Sequence, residues 1–195
     1  MVNDDDGASR RALLRGAGAV LAGVGGVVLA GCGGQKSTAT TTQPVKDSPP
    51  AVLDSDVRIL NRALELERRT VAAYVAGVPL LDHKQAKTAK QFLNEELEHT
   101  GELISLIKAA GSKAPPKADS YDIGRARDAA GVLTVLHTLE RMQIAYYLDA
   151  IPRLSPAGVR ASVATILNSD SQHIAVLRLG QGMPAVPSPF VTGAE

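Results

Sequence analysis

Six residues in this chain have the types and spacing of metal ligands: Glu67, Glu96, His99, Glu140, Asp170 and His173. Glu96-x-x-His99 and Asp170-x-x-His173 each put a carboxylate and an imidazole one turn apart on the same face of a helix. Glu67 and Glu140 add one carboxylate each from two other segments. Oxygen and imidazole donors together suit iron or manganese. Two divalent cations carry four positive charges and balance four carboxylates, whereas the same layer buried without cations costs several kcal/mol per ion. The one cysteine, Cys32, excludes a multi-cysteine zinc or iron–sulfur site, so any metal here takes nitrogen and oxygen ligands.

The elements that position these residues are helices. Between Ala51 and Gly180 prolines fall only at Pro79, Pro115-Pro116, Pro152 and Pro156. The four intervening segments are rich in Ala, Leu, Glu, Lys and Arg and lack strand-like alternation. Each carries a stripe spaced alternately three and four: Val57, Leu60, Leu64, Glu67, Val71, Tyr74 and Val78 in the first, then Ala89, Phe92, Glu96, His99, Leu103, Leu106 and Ala110. The third stripe is Ala130, Leu133, His137, Glu140, Ile144, Tyr147 and Ile151, and the fourth Val163, Ile166, Asp170, His173, Leu177 and Gly180. A helix turns such a stripe toward its neighbours, so all six candidate ligands point inward. Asp82 with Gln85 can form a capping box, Ser155-Pro156 an N-cap with an N1 proline, and Gly111 and Gly180 suit helix ends.

The carboxylates share one height. Glu67 and Glu140 each lie 12 residues before a turn proline, while Glu96 lies 14 after Asp82 and Asp170 lies 15 after Ser155. At about 1.5 Å per residue this sets all four in one layer of two antiparallel hairpins. The hairpins repeat: a shift of 73 lays Leu66-Glu67-Arg68 on Leu139-Glu140-Arg141, Tyr74 on Tyr147 and Pro79 on Pro152. One further residue aligns Glu96 with Asp170 and His99 with His173. A pseudo-twofold axis through the polar layer follows. The 15 residues from Ser112 to Ala126 are the crossover between hairpins.

Glu from two helices with Glu-x-x-His from the other two resembles the ferritin-like superfamily, in particular the small exported bacterial proteins with a ferritin-like domain. The likeness covers roughly residues 54 to 178. It implies an all-α, ferritin-like four-helix bundle of two repeated antiparallel hairpins joined by a crossover. It also implies Glu67, Glu96, Glu140 and Asp170 as terminal or bridging ligands of two divalent ions, iron or manganese, with His99 and His173 serving one ion each. Asp170 departs from the pattern, being one methylene shorter than the usual Glu, and the half-site it forms with His173 is expected to be the weaker. Tyr74 and Tyr147 are read as core tyrosines whose hydroxyls bond the carboxylates or water. His137 stands where the first hairpin has Leu64 and is read as supporting the layer rather than as a ligand. Arg68 and Arg141 with water are the alternative means of neutralising the layer. His83 reads as a turn residue, and Glu65, Glu95, Glu98 and Glu102 with Lys84, Lys87 and Lys90 as solvated faces.

Residues 1–31 read as an export signal. Arg10-Arg11 followed by Leu13-Leu14 resembles a twin-arginine signal, the apolar stretch Ala17 to Ala30 is shorter than the roughly 20 residues of a membrane span, and Leu29-Ala30-Gly31-Cys32 resembles a lipoprotein lipobox. Lipidation at Cys32 would leave residues 32–50 as a tether to the membrane, 51–180 as the bundle and 181–195 as a C-terminal tail, outside the cytoplasm in the cell envelope. A net charge of +1, no Trp and only six Phe and Tyr together argue against nucleic acid as partner. Two functions remain. One is a dinuclear iron or manganese centre that oxidises ferrous iron or reacts with oxygen or peroxide; the other is a non-catalytic binding or interaction module with a degenerate site.

Overall fold

A computed structural model describes residues 53–195. The export signal with Arg10 and Arg11, Cys32 and the tether lie outside the described residues. Among those described there are no strands, and four helices form an all-α bundle: α1 (Asp54–Gly77), α2 (His83–Ala109), α3 (Ala129–Ala150) and α4 (Ala157–Gly180). Short 3-10 turns, Val78–Leu80 and Ile151–Arg153, close the two hairpins, each with its proline near the start. No described helix is long and apolar enough to cross a membrane.

The ends follow from local chemistry. The Asp82 side chain accepts from the Gln85 N–H at 2.8 Å and the Gln85 side chain accepts from the Asp82 N–H at 3.3 Å, so the capping box opens α2 as expected and His83 becomes its first residue. Asp128 caps α3 through the Gly131 N–H. Helix α4 starts one residue later than the Ser155 cap would place it. The Ser155 N–H is engaged by Asp56 instead, a fully buried carboxylate whose other oxygen accepts from the Leu53 N–H. Asp56 thereby ties the start of α1 to the turn of the second hairpin.

Two apolar clusters fill the core, one on each side of the polar layer. Leu60, Leu64, Leu103, Ile107, Leu154, Val159 and Val163 join the start of α1, the end of α2, the turn after α3 and the start of α4. Tyr74, Ala89, Phe92, Val132, Leu136 and Leu177 join the opposite ends. This membership makes α1 antiparallel to α3, so the crossover runs the length of the bundle. Ile107, not Leu106, is the fully buried residue near the end of α2, and Ala130 is exposed, because the apolar face drifts off a strict three-four stripe over a long helix. Close packing of α1 on α3 requires Gly77, where a Cβ would meet Val132 Cγ1 at 2.6 Å.

Arginines hold the outside. Arg68 donates to the carbonyls of Pro115 and Pro116, and Arg69 to that of Asp122, fastening the crossover to α1. The segment after α4 is fastened in the same way, with Arg141 donating to the Gly193 carbonyl and Arg178 to that of Pro184.

Candidate metal centre

The bundle buries Glu67, Glu96, Glu140 and Asp170 completely, with His173 buried and His99 partly so. Their ligand atoms fall into two overlapping groups, each within 4.8 Å of one another: Glu67, Glu96, His99 and Asp170, and Glu96, Glu140, Asp170 and His173. Glu96 and Asp170 belong to both. Both pairs expected from spacing recur, Glu96 with His99 and Asp170 with His173, and each group also takes in the other pair's carboxylate. His99 Nδ1 lies 3.6 Å from Glu67, 3.6 Å from Glu96 and 3.5 Å from Asp170, while His173 Nδ1 lies 3.2 Å from both Glu96 and Glu140. Glu67 therefore goes with His99 and Glu140 with His173. The short Asp170 faces both groups.

The tyrosines act reciprocally across the pseudo-twofold. Tyr74 donates from α1 to Glu140 on α3 at 2.8 Å, and Tyr147 donates from α3 to Glu67 on α1. Each fixes one oxygen of a carboxylate that belongs to one group only. Burial and the neighbouring carboxylate charges, Glu140 chiefly for Tyr74 and Glu67 chiefly for Tyr147, push both phenols well above their usual range, so they remain donors. Gln143 on α3 donates to Glu96 Oε2 at 3.2 Å and accepts from Thr70 at 2.7 Å.

Three sequence readings change. Arg68 and Arg141 bond backbone carbonyls of the crossover and the C-terminal segment, so neither neutralises the layer. His137 is buried, its Nε2 bonds nothing among the described residues, and the charges acting on it are Arg141, Arg178 and Glu195 rather than the carboxylate layer. Burial first, and then those arginines, lower its pKa. Glu95, read as a solvated face, instead reaches the far nitrogen of His173: Nε2 to Glu95 Oε2 is 2.7 Å. It sits one residue off the inward stripe, where spacing carries no signal for it.

Burial and mutual repulsion shift the titration of the layer. Burial, then the charge of Glu96, pushes Glu67 up to about 8. Burial, then the charges of Glu67, Glu96 and Glu140, pushes Asp170 well above the carboxylate range. For the imidazoles burial pulls the other way, but the adjoining carboxylates win, raising His99 to about 10 and His173 to about 11. Burial also acts to raise Glu96, yet the flanking imidazoles and Glu67 hold it below its ordinary value. The same is true of Glu95, held down by His173 and Gln91 against the effect of burial.

A cation fits these residues. Glu67 Oε2, Glu96 Oε1, His99 Nδ1, Glu140 Oε2 and both oxygens of Asp170 are buried with no hydrogen-bond partner. Each such atom costs about 1–3 kcal/mol. All six belong to residues of the two groups, and unpartnered buried polar atoms gathered in this way fit a bound cation better than a satisfied core.

The chain belongs to the ferritin-like domain family, whose model matches residues 55–182. Similar solved structures include a conserved hypothetical protein from Mycobacterium tuberculosis, with 18% identity, 70% of this chain and 96% of that chain covered, and a TM-score of 0.63. The bacterioferritin of Rhodobacter capsulatus, described with a metal-free dinuclear site and heme iron, shares 19% identity over 68% of this chain and 87% of its own, with a TM-score of 0.59. At these identities the likeness is one of fold. Among curated proteins none matches the chain.

Proposed function

We propose that the bundle holds two iron or manganese ions and that it oxidises ferrous iron, or reacts with dioxygen or peroxide, at the cell envelope. The observation that carries this reading is the pair of groups sharing Glu96 and Asp170, with six unpartnered ligand atoms between them. Glu67 and His99 would hold one ion and Glu140 and His173 the other, with Glu96 and Asp170 common to both. When bound, the paired ions supply the electrons that dioxygen or peroxide accepts. The chain's own residues do the rest. Tyr74 and Tyr147 keep Glu140 and Glu67 turned inward, and the apolar clusters on either side keep bulk water out. His99, with its side chain 12% exposed beside a surface cavity, marks the side nearest solvent.

Aerobic oxidation of ferrous iron by the purified chain, followed beside Glu67→Ala/Glu140→Ala, tests the activity: turnover is expected from the wild type and none above background from the variant. The shorter Asp170 favours the second reading, a non-catalytic binding or interaction module with a degenerate metal site. Metal retained without iron oxidation would select it.

The envelope location rests on Arg10-Arg11 and the Cys32 lipobox. Incorporation of labelled fatty acid that Cys32→Ala abolishes is the expected result, and a wild-type chain that takes up no label contradicts it.

A further inference from the structure

Glu95 is unlike the other acids on the surface of α2. Its Oε2 meets Nε2 of the buried His173 at 2.7 Å, and its Oε1 accepts from Gln91 Nε2 at 3.0 Å, so a side chain 38% exposed has both oxygens committed. The opposite nitrogen of the same ring, Nδ1, faces Glu96 and Glu140. Phe92 stacks on the ring at 4.1 Å between centroids and fixes its plane.

The repeat shows what is special here. The shift that carries Glu96 onto Asp170 and His99 onto His173 carries Glu95 onto Ser169 and Gln91 onto Thr165. His99 has no counterpart of the Glu95 carboxylate among the described residues: its side chain opens on a cavity of about 380 Å³ lined by Glu98, Glu102, Ser162, Thr165 and Ile166. The His173 ring is held at both nitrogens, whereas His99 Nδ1 has no hydrogen-bond partner among the described residues.

We propose that Glu95 is a positioning residue that selects Nδ1 of His173 as the ligating nitrogen, making the group of Glu96, Glu140, Asp170 and His173 the tighter of the two metal sites. A ring that coordinates through one nitrogen carries its hydrogen on the other, and a carboxylate accepting that hydrogen fixes ring orientation and raises ligand basicity. This order is the reverse of that expected from Asp170 alone, because Asp170 serves both groups whereas Glu95 serves one. The inference rests on the two-metal reading above.

Cobalt(II) titration of the full chain, read by calorimetry and by the visible spectrum, tests it. Two unequal binding events are expected, with His173→Ala removing the tighter. Glu95→Ala should weaken that event by about 10–100-fold, the range for a lost partner of a ligating histidine, and affect the other much less. Glu95→Gln keeps an acceptor oxygen and should recover most of the loss. Ser169→Glu supplies the missing carboxylate and should tighten the weaker event. In the zinc-loaded, ¹⁵N-histidine-labelled chain, one slowly exchanging Nε2–H should be seen and should vanish in Glu95→Ala. If the wild type binds two ions but Glu95→Ala leaves both events unchanged, or His99→Ala removes the tighter one, the assignment to Glu95 is overturned and the metal centre stands. A wild type that binds no cobalt overturns both.

Discussion

In the first hairpin the carboxylate shared by both metal groups is Glu96, which receives a hydrogen bond from Gln143; in the second it is Asp170, whose two oxygens receive none. The repeat mate of Gln143 is Thr70, too short to offer the same support, and it bonds Gln143 instead. Outside the layer the imbalance recurs, with Glu95 on His173 and Ser169 as its mate beside His99. The tyrosine–carboxylate pairs, by contrast, are reciprocal. Two copies of one plan have thus kept the contacts that orient Glu67 and Glu140, and have diverged in those that serve Glu96, Asp170 and the histidines. The lesson is that a duplicated site can keep its ligands while its halves become chemically distinct through the residues around them.

The harshest way to break the comparison is to remove the symmetric part. Ligand saturating the native state a thousandfold above its Kd stabilises by about 4 kcal/mol, roughly 10 °C for a bundle of this size. Glu67→Ala with Glu140→Ala should abolish that metal-induced rise in unfolding temperature. A rise that survives both substitutions would place the ions elsewhere.

Asp170→Glu sharpens the asymmetric part. Because Asp170 faces both groups, restoring the methylene should tighten both binding events, by roughly tenfold or about 1.4 kcal/mol each. Calorimetry that shows only one event responding would return Asp170 to a single half-site.

The pH dependence separates protons from metal. Glu67, at about 8 against an ordinary 4.5, and His99 and His173, at about 10 and 11 against 6.5, are all raised in the folded chain. Each therefore favours the fold most below its ordinary pKa, and that contribution fades as pH climbs through the folded value. Melts with chelator present should show stability falling from about pH 5 to about pH 11, while the increment added by manganous ion grows as those protons leave. Up to three protons, from Glu67, His99 and His173, should be released on loading at neutral pH, measurable from binding heats in buffers of different ionisation enthalpy. An increment that shrinks as pH rises would contradict the sign.

The smallest effect expected is that of Gln143→Ala. It strips Glu96 Oε2 of its partner, leaving Thr70 only the Leu66 carbonyl, and should lower metal-free stability by about 1–3 kcal/mol, without abolishing metal binding. Denaturant midpoints with and without metal decide it.

The helices, their turn prolines and the inward heights of six ligand candidates were legible because periodicity, capping chemistry and the repeat all act along the chain. What spacing cannot convey is which side chains meet across helices. Glu96 and His99 are neighbours in sequence, yet Glu96 faces both histidines, and Glu67 faces His99 from another helix. Glu95 lay hidden one residue off the stripe, where only the reach of its side chain brings it to His173. Asp56 was missed because its partners are backbone N–H groups, one of them 99 residues away. Arg68 and Arg141 looked able to neutralise the layer because a helical position fixes where a long side chain starts and not where it ends.

The count of ions bound is the most direct test of the central claim. Anaerobic equilibrium titration of the metal-free chain with ferrous ion should saturate at two per chain, one for each of the overlapping groups that share Glu96 and Asp170. Saturation at one ion, or none, would contradict the account.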